Sequence, residues 1–182
     1  MSIAASRLVQ ERRQWRRDHP PGFYARPDTN ADGTANMMRW LCGVPGKEGT
    51  DWEGGTYPVV VEFSDEYPSK PPRCRLPANF FHPNVYPSGS ICLSILGSCA
   101  RRHARTHTAA APVRRSLLRL PDEEKDWRPT IVVKELLLGI QELLSAPNNG
   151  DPAQMPAFDL LQRSPANYRQ RVRLQAAQYK PK

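Results

Sequence analysis

No apolar run in this chain approaches the roughly 18 to 20 residues that span a bilayer. The first twenty residues, M-S-I-A-A-S-R-L-V-Q-E-R-R-Q-W-R-R-D-H-P, lack the apolar core of a signal peptide. Those two absences predict a protein on the cytosolic side of the membrane. Cysteine is also sparse. Cys42, Cys74, Cys92 and Cys99 include no C-x-x-C pair, which excludes the usual redox and zinc-ribbon signatures. Structural disulfides rarely persist in a reducing compartment, so each cysteine is read as a free thiol. No internal repeat is visible. One stretch lacks acid altogether: residues 97–121 hold six arginines and neither Asp nor Glu.

What is present fits one domain. The length of 182 residues matches a single unit. The chain is 39% hydrophobic, enough for a core, while 19 prolines and a mean hydropathy of −0.63 predict many turns and exposed loops. The formal charge of +8 is local. Besides the basic stretch at 97–121, residues 1–17 carry five arginines against Glu11 alone, and the rest of the chain is close to neutral. Such patches suggest acidic partners. Without stacking aromatics among the arginines, nucleic acid is a distant choice.

Hydrophobic spacing orders the elements. Residues 3–17 read as an amphipathic helix with Ile3, Leu8 and Trp15 on one side and Arg12/Arg16 and Arg13/Arg17 at i,i+4, ended by His19-Pro20-Pro21-Gly22. Short extended segments follow at 23–26, 36–44, 57–63 and 73–76, separated by Asn-Ala-Asp-Gly, Pro-Gly-Lys and Glu-Gly-Gly turn signals. The proline-rich run from Tyr67 to Leu96 reads as an ordered irregular segment. Residues 130–145 give the strongest helix signal, stopped by Pro147. A short helical turn at 152–162 and a last helix opened by Ser164 as cap and Pro165 complete an α+β order: N-terminal helix, four-stranded antiparallel meander, C-terminal helices.

Chemistry concentrates in H-P-N-V-Y-P-S-G-S-I-C-L-S-I-L, residues 82–96. It sets one thiol just after a glycine turn, with an imidazole and a carboxamide upstream. A nucleophilic thiol needs access, and acyl transfer needs a fixed donor for the developing oxyanion. Cys92 and Asn84 suit those roles. The plain alternatives stay open at this point: Cys92 as buried filler, and Asn84 as a turn residue. His82 invites a general-base reading that its following proline argues against. Trp127-Arg128-Pro129 reads as packing and turn.

H-P-N with a cysteine eight residues after the Asn, then W-R-P and P-N-x-x-D-P, resembles the ubiquitin-conjugating enzyme superfamily. More narrowly, several motifs resemble its SUMO-conjugating branch (SUMO being the small ubiquitin-like modifier). They are S-R-L-V-Q-E-R-R-Q-W-R-R-D-H-P, P-G-K-E-G-T-D-W-E-G-G, the 82–96 segment, E-K-D-W-R-P and L-L-G-I-Q-E-L-L. The resemblance covers residues 1–96 and 122–182 and implies that fold. It implies that Cys92 carries the modifier as a thioester and that Asn84 serves oxyanion stabilisation or local loop support. Asp151 would position the incoming lysine, which Tyr86 lines. Read without the family, Asp151 is a turn cap before Pro152. The resemblance further implies that Ser88, Ser90, Glu124, Lys125, Pro152 and Ala153 contact substrates with hydrophobic-Lys-x-acidic motifs. Arg12, Arg13, Arg16, Arg17 and His19 would meet the activating enzyme and a second, noncovalent SUMO. A structural role is implied for His82. The expected partners also include SUMO ligases, for a monomer in nucleus and cytoplasm. No bound cofactor or metal is expected, because ATP is consumed by the activating enzyme. The rivals are an enzyme dedicated to ubiquitin and a noncatalytic binding module.

Residues 97–121 depart from that pattern, since the family runs directly from L-S-I-L into the acidic E-K-D-W-R-P stretch. A surface loop of about 25 residues costs little entropy, so the fold is expected to survive it. Four readings compete. The first is a basic lid that recruits an acidic partner, and the second a zinc clip from Cys92, Cys99, His103 and His107. That clip would consume the nucleophile on a spacing that fits no common site. The third is an unexcised intron, since codons for Gly97 and for Pro121-Asp122 accommodate GT and AG borders. Excision would restore L-S-I-L-D-E-E-K-D-W-R-P. The fourth is a neutral insertion. A segment that starts so soon after Cys92 would obstruct the approach of a lysine.

Overall fold

The first helix, α1 (Ile3–Arg17), begins where Ser2 caps it, its Oγ accepting the Ala5 N–H at 3.1 Å. Residues 2–91 and 127–180 are described by the computed structural model. The buried positions of α1 are Ala4, Leu8, Glu11 and Trp15, at helical 4-3-4 spacing. Ile3, expected on that stripe, is 80% exposed. Five residues before Leu8 it falls some 140° around the helix, and Ala4 takes the place.

Four strands follow as an antiparallel meander in the order β1-β2-β3-β4: β1 Tyr24–Thr29, β2 Ala35–Pro45, β3 Thr56–Glu62 and β4 Arg73–Arg75. Period-2 alternation turns Trp40, Cys42, Val44, Tyr57, Val59, Val61 and Cys74 to the core. The register pairs Trp40 with Val61, Cys42 with Val59 and Val61 with Cys74. β1 runs three residues further than its sequence signal. A register shift after Pro27 lets Asp28 and Thr29 pair with Asn36 and Ala35.

Helix α2 (Val133–Ser145) lays Leu136, Leu137, Ile140, Leu143 and Leu144 against this sheet, all buried. Each such side chain contributes about 1.5–3 kcal/mol of transfer free energy. It starts three residues later than its apolar pattern, because Ile131 closes a turn on the Arg128 carbonyl. Its first amides are then met by carboxylates: Glu135 accepts from the Val132 N–H and Glu11, far away on α1, from the Val133 N–H at 3.0 Å. Helices α3 (Met155–Arg163) and α4 (Pro165–Gln178) close the chain. Ser164 stands at the cap of α4, but its side chain makes no capping hydrogen bond; its N–H is instead spent on Leu160 at the end of α3. No helix among the described residues is long and apolar enough to cross a membrane.

Candidate active site

The proline-rich run after β4 is ordered by backbone bonds of its own. Leu76 N–H donates to Gly89 O at 2.9 Å, Gly89 N–H to Tyr86 O at 2.8 Å, Tyr86 N–H to Ser90 O at 3.0 Å, and Ile91 N–H to Cys74 O at 3.0 Å. The resulting tight turn needs Gly89, whose φ is +87°. A Cβ there would lie 2.1 Å from the Leu76 carbonyl oxygen. The segment thus delivers the chain along β4 as far as Ile91. Cys92, Glu124 and Lys125 lie outside the described residues, as do the basic stretch and the cysteine and histidines of the zinc-clip reading.

Within the segment His82 is fully buried. Its Nε2–H donates to Leu143 O at 3.1 Å and its Nδ1 accepts the Asn84 N–H at 3.1 Å. The second bond fixes the tautomer, because Nδ1 facing an amide hydrogen must be bare. Burial holds its pKa down to about 4, although the Leu143 and Leu144 carbonyls pull the other way. His82 is therefore a neutral bolt between the segment and α2, with both nitrogens committed.

Asn84 is also fully buried. Its Nδ2 donates to Asn148 O at 2.8 Å and Asp151 O at 2.9 Å, and its Oδ1 accepts the Asn148 N–H at 2.8 Å. Both amide protons are thus spent on the loop that carries Asp151. Of the two roles that the resemblance left open, this arrangement performs loop support, and an oxyanion donor would require one of those bonds to break. The opposite side of the loop is held as well: Ala153 N–H and Gln154 N–H share Pro83 O at 2.7 and 3.0 Å. Asp151, Pro152 and Ala153 are half-buried on this shelf. Tyr86, two residues after Asn84, is 42% exposed, and Ser88 Oγ donates to Ser90 Oγ at 3.1 Å on the turn. The structure therefore brings Asn84, Asp151, Pro152 and Ala153 together on one shelf, while Ser88 and Ser90 lie on the turn that follows Tyr86 in the same segment. A groove of about 760 Å³ elsewhere, lined by Asp51, Trp52, Tyr168 and Arg173 among others, includes none of them.

The basic face is a separate surface. Arg13, Arg16, Arg17 and His19 are exposed and Arg12 is half-buried. The His19 ring stacks on Trp15 with 5.3 Å between centroids, and Nδ1 reaches Trp15 O at 3.0 Å. That places an imidazole at the negative end of the helix dipole, next to the arginines. On the inner side, Glu11 accepts from Arg7 Nε at 2.7 Å, Tyr67 Oη at 3.1 Å and the Val133 N–H. Sequence reasoning passed over Glu11, although its position on the 4-8-11-15 stripe marked it as inward.

The ubiquitin-conjugating enzyme family model matches residues 7–176. The chain belongs to that family. Among curated ubiquitin-conjugating enzyme relatives, it is 49% identical over 177 residues to the SUMO-conjugating enzyme SCE1 of Arabidopsis thaliana, a match covering 97% of this chain and 95% of that one. It is 47% identical over 179 residues to the Sumo-conjugating enzyme ubc9 of Dictyostelium discoideum, covering 98% and 97%. As a conjugating enzyme it has the N-terminal helix, four-stranded antiparallel sheet and C-terminal helices expected from the motifs. Its buried thiols suit packing rather than transfer. Burial alone pushes Cys42 up to about 12, and burial first, then the neighbouring Cys42, pushes Cys74 higher still.

Proposed function

We propose that this chain is a SUMO-conjugating enzyme, a transferase that works through a cysteine thioester. The observation that carries the reading is the near-complete match to two SUMO-conjugating enzymes. The activating enzyme consumes ATP and passes the modifier's C-terminal glycine to the Cys92 sulfur. The amine of a substrate lysine then attacks the thioester carbonyl, the C–S bond breaks with release of thiolate, and the amine's proton leaves as the isopeptide bond forms.

Lysine at its ordinary pKa near 10.4 is almost wholly protonated at neutral pH. Desolvation beside Tyr86 lowers that pKa, whereas a neighbouring carboxylate alone raises it. Asp151 therefore serves to orient the amine and to take its proton transiently, with Asn84 holding the loop beneath. Ser88, Ser90, Pro152 and Ala153, with Glu124 and Lys125, would form the surface that reads hydrophobic-Lys-x-acidic substrates. The α1 arginines and His19 would meet the activating enzyme and a noncovalent SUMO, in a monomer that acts in nucleus and cytoplasm with SUMO ligases.

Thioester formation tests this. The protein as written and a form lacking residues 97–121 are incubated separately with SUMO or ubiquitin, the cognate activating enzyme and ATP, then resolved with and without reductant. The expected product is a reductant-sensitive SUMO adduct that becomes reductant-resistant in Cys92→Ser. Charging with ubiquitin instead would reassign the modifier. Charging only in the shortened form would show that the basic segment blocks the reaction, and none in either form would overturn the proposal.

A further inference from the structure

The shelf under Asp151 is tied from both directions. Asn84 reaches from the H-P-N segment to the carbonyls of Asn148 and Asp151. Gln154, just before α3, reaches back. Its Nε2 donates to Phe80 O at 3.2 Å and Val85 O at 3.4 Å, and its own N–H to Pro83 O at 3.0 Å. Three carbonyls of the segment, at 80, 83 and 85, thus converge on one residue. Val85 immediately precedes Tyr86, and Gln154 stands three residues after Asp151. The carboxamide therefore ties the backbone just before the aromatic to the loop that carries the carboxylate.

We infer that Gln154 is a positioning residue for lysine transfer, acting through Asp151; the inference rests on the conjugating-enzyme reading above. The geometry asks for a donor with two protons at the end of a three-carbon reach. Met has the length and no proton. Glu would set a carboxylate against two carbonyl oxygens, and only its protonated form would return one donor. The Ala153 and Gln154 backbone bonds to Pro83 remain in either variant, so both should fold.

The test uses whichever form, with or without residues 97–121, accepts the modifier in the assay above. Charging and single-turnover discharge to free lysine are measured for wild type, Gln154→Met, Gln154→Glu, Asp151→Ala and the Gln154→Met/Asp151→Ala double variant. Charging of the two Gln154 single variants should stay within about twofold. Discharge of Gln154→Met at saturating lysine should fall about tenfold, with little change in the lysine concentration for half-maximal rate, as expected from misplacement. Relative to wild type at each pH, the Gln154→Glu defect should deepen as pH rises and its carboxyl ionises. Adding Gln154→Met to Asp151→Ala should cost little more, because the partner through which it acts is gone.

Unchanged discharge in Gln154→Met would overturn the inference, as would full additivity with Asp151→Ala. So would loss of charging in both Gln154 variants, which would make the amide a prop for the fold alone. Failure of wild type to charge would sink the parent reading instead.

Discussion

A buried histidine with both nitrogens bonded makes pH a direct probe of the H-P-N segment. The unfolded chain binds a proton at His82 near pH 6.5, whereas the folded protein does so only near pH 4. The unfolded state therefore holds more protons between those values, and stability is lost as pH falls through that window. The full gap is worth about 3 kcal/mol, of which about 2 kcal/mol is gone by pH 5. Urea denaturation of wild type and His82→Gln at pH 8, 6.5, 5.5 and 5.0 isolates this contribution, since other titrating groups cancel in the difference. The variant should be less stable at pH 8, because the Asn84 N–H and Leu143 O lose a rigid bridge, and the gap should narrow by about 2 kcal/mol at pH 5. Parallel stability curves would refute the reasoning. So would an imidazole resonance for His82 with a midpoint near 6.5.

Three further outcomes are expected. Glu11→Ala removes three hydrogen bonds from a buried carboxylate and should lower stability by about 3 kcal/mol in denaturant titration, with Glu11→Gln costing less; an effect below the error of the method would show that the cluster contributes nothing. Gly89→Ala forces a Cβ onto the Leu76 carbonyl and should cost at least about 2 kcal/mol, whereas Gly33→Ala, at a similar φ of +82° with nothing within 4 Å, should cost about 1 kcal/mol; equal melting temperatures for the two would contradict the close approach. Arg12→Glu/Arg16→Glu should slow charging by the activating enzyme, chiefly in association rate and less so at high salt, with the melting temperature near wild type; unaltered charging kinetics would remove this face from partner recognition.

The meander was legible because its strands alternate cleanly between turn signals, and the strand starts differ from expectation by one residue at most. Its errors have local causes. The extension of β1 depends on a register shift that only the partner strand at Asn36 reveals. Ile3 has the apolarity for the inward stripe, but Ala4 has the angle. At the site, the motif names residues and leaves open how they are held. That Asn84 holds a loop is visible only through the carbonyls of Asn148 and Asp151, more than sixty residues away in the chain. Glu11 was hidden by its company, one acid among five arginines, and its role needs the Val133 amide 122 residues downstream. Gln154 carried no signal at all beyond its proximity to Asp151.

The two sides of α1 answer to different masters. Inward, Leu8, Glu11 and Trp15 join the core and the start of α2. Outward, Arg13, Arg16 and Arg17 are exposed. On the reading proposed above, a lineage can rewrite the outward residues, and with them the partner they would meet, while leaving the inward side untouched. For the engineer the same division offers fifteen residues whose solvent side can be exchanged while the other side stays masonry.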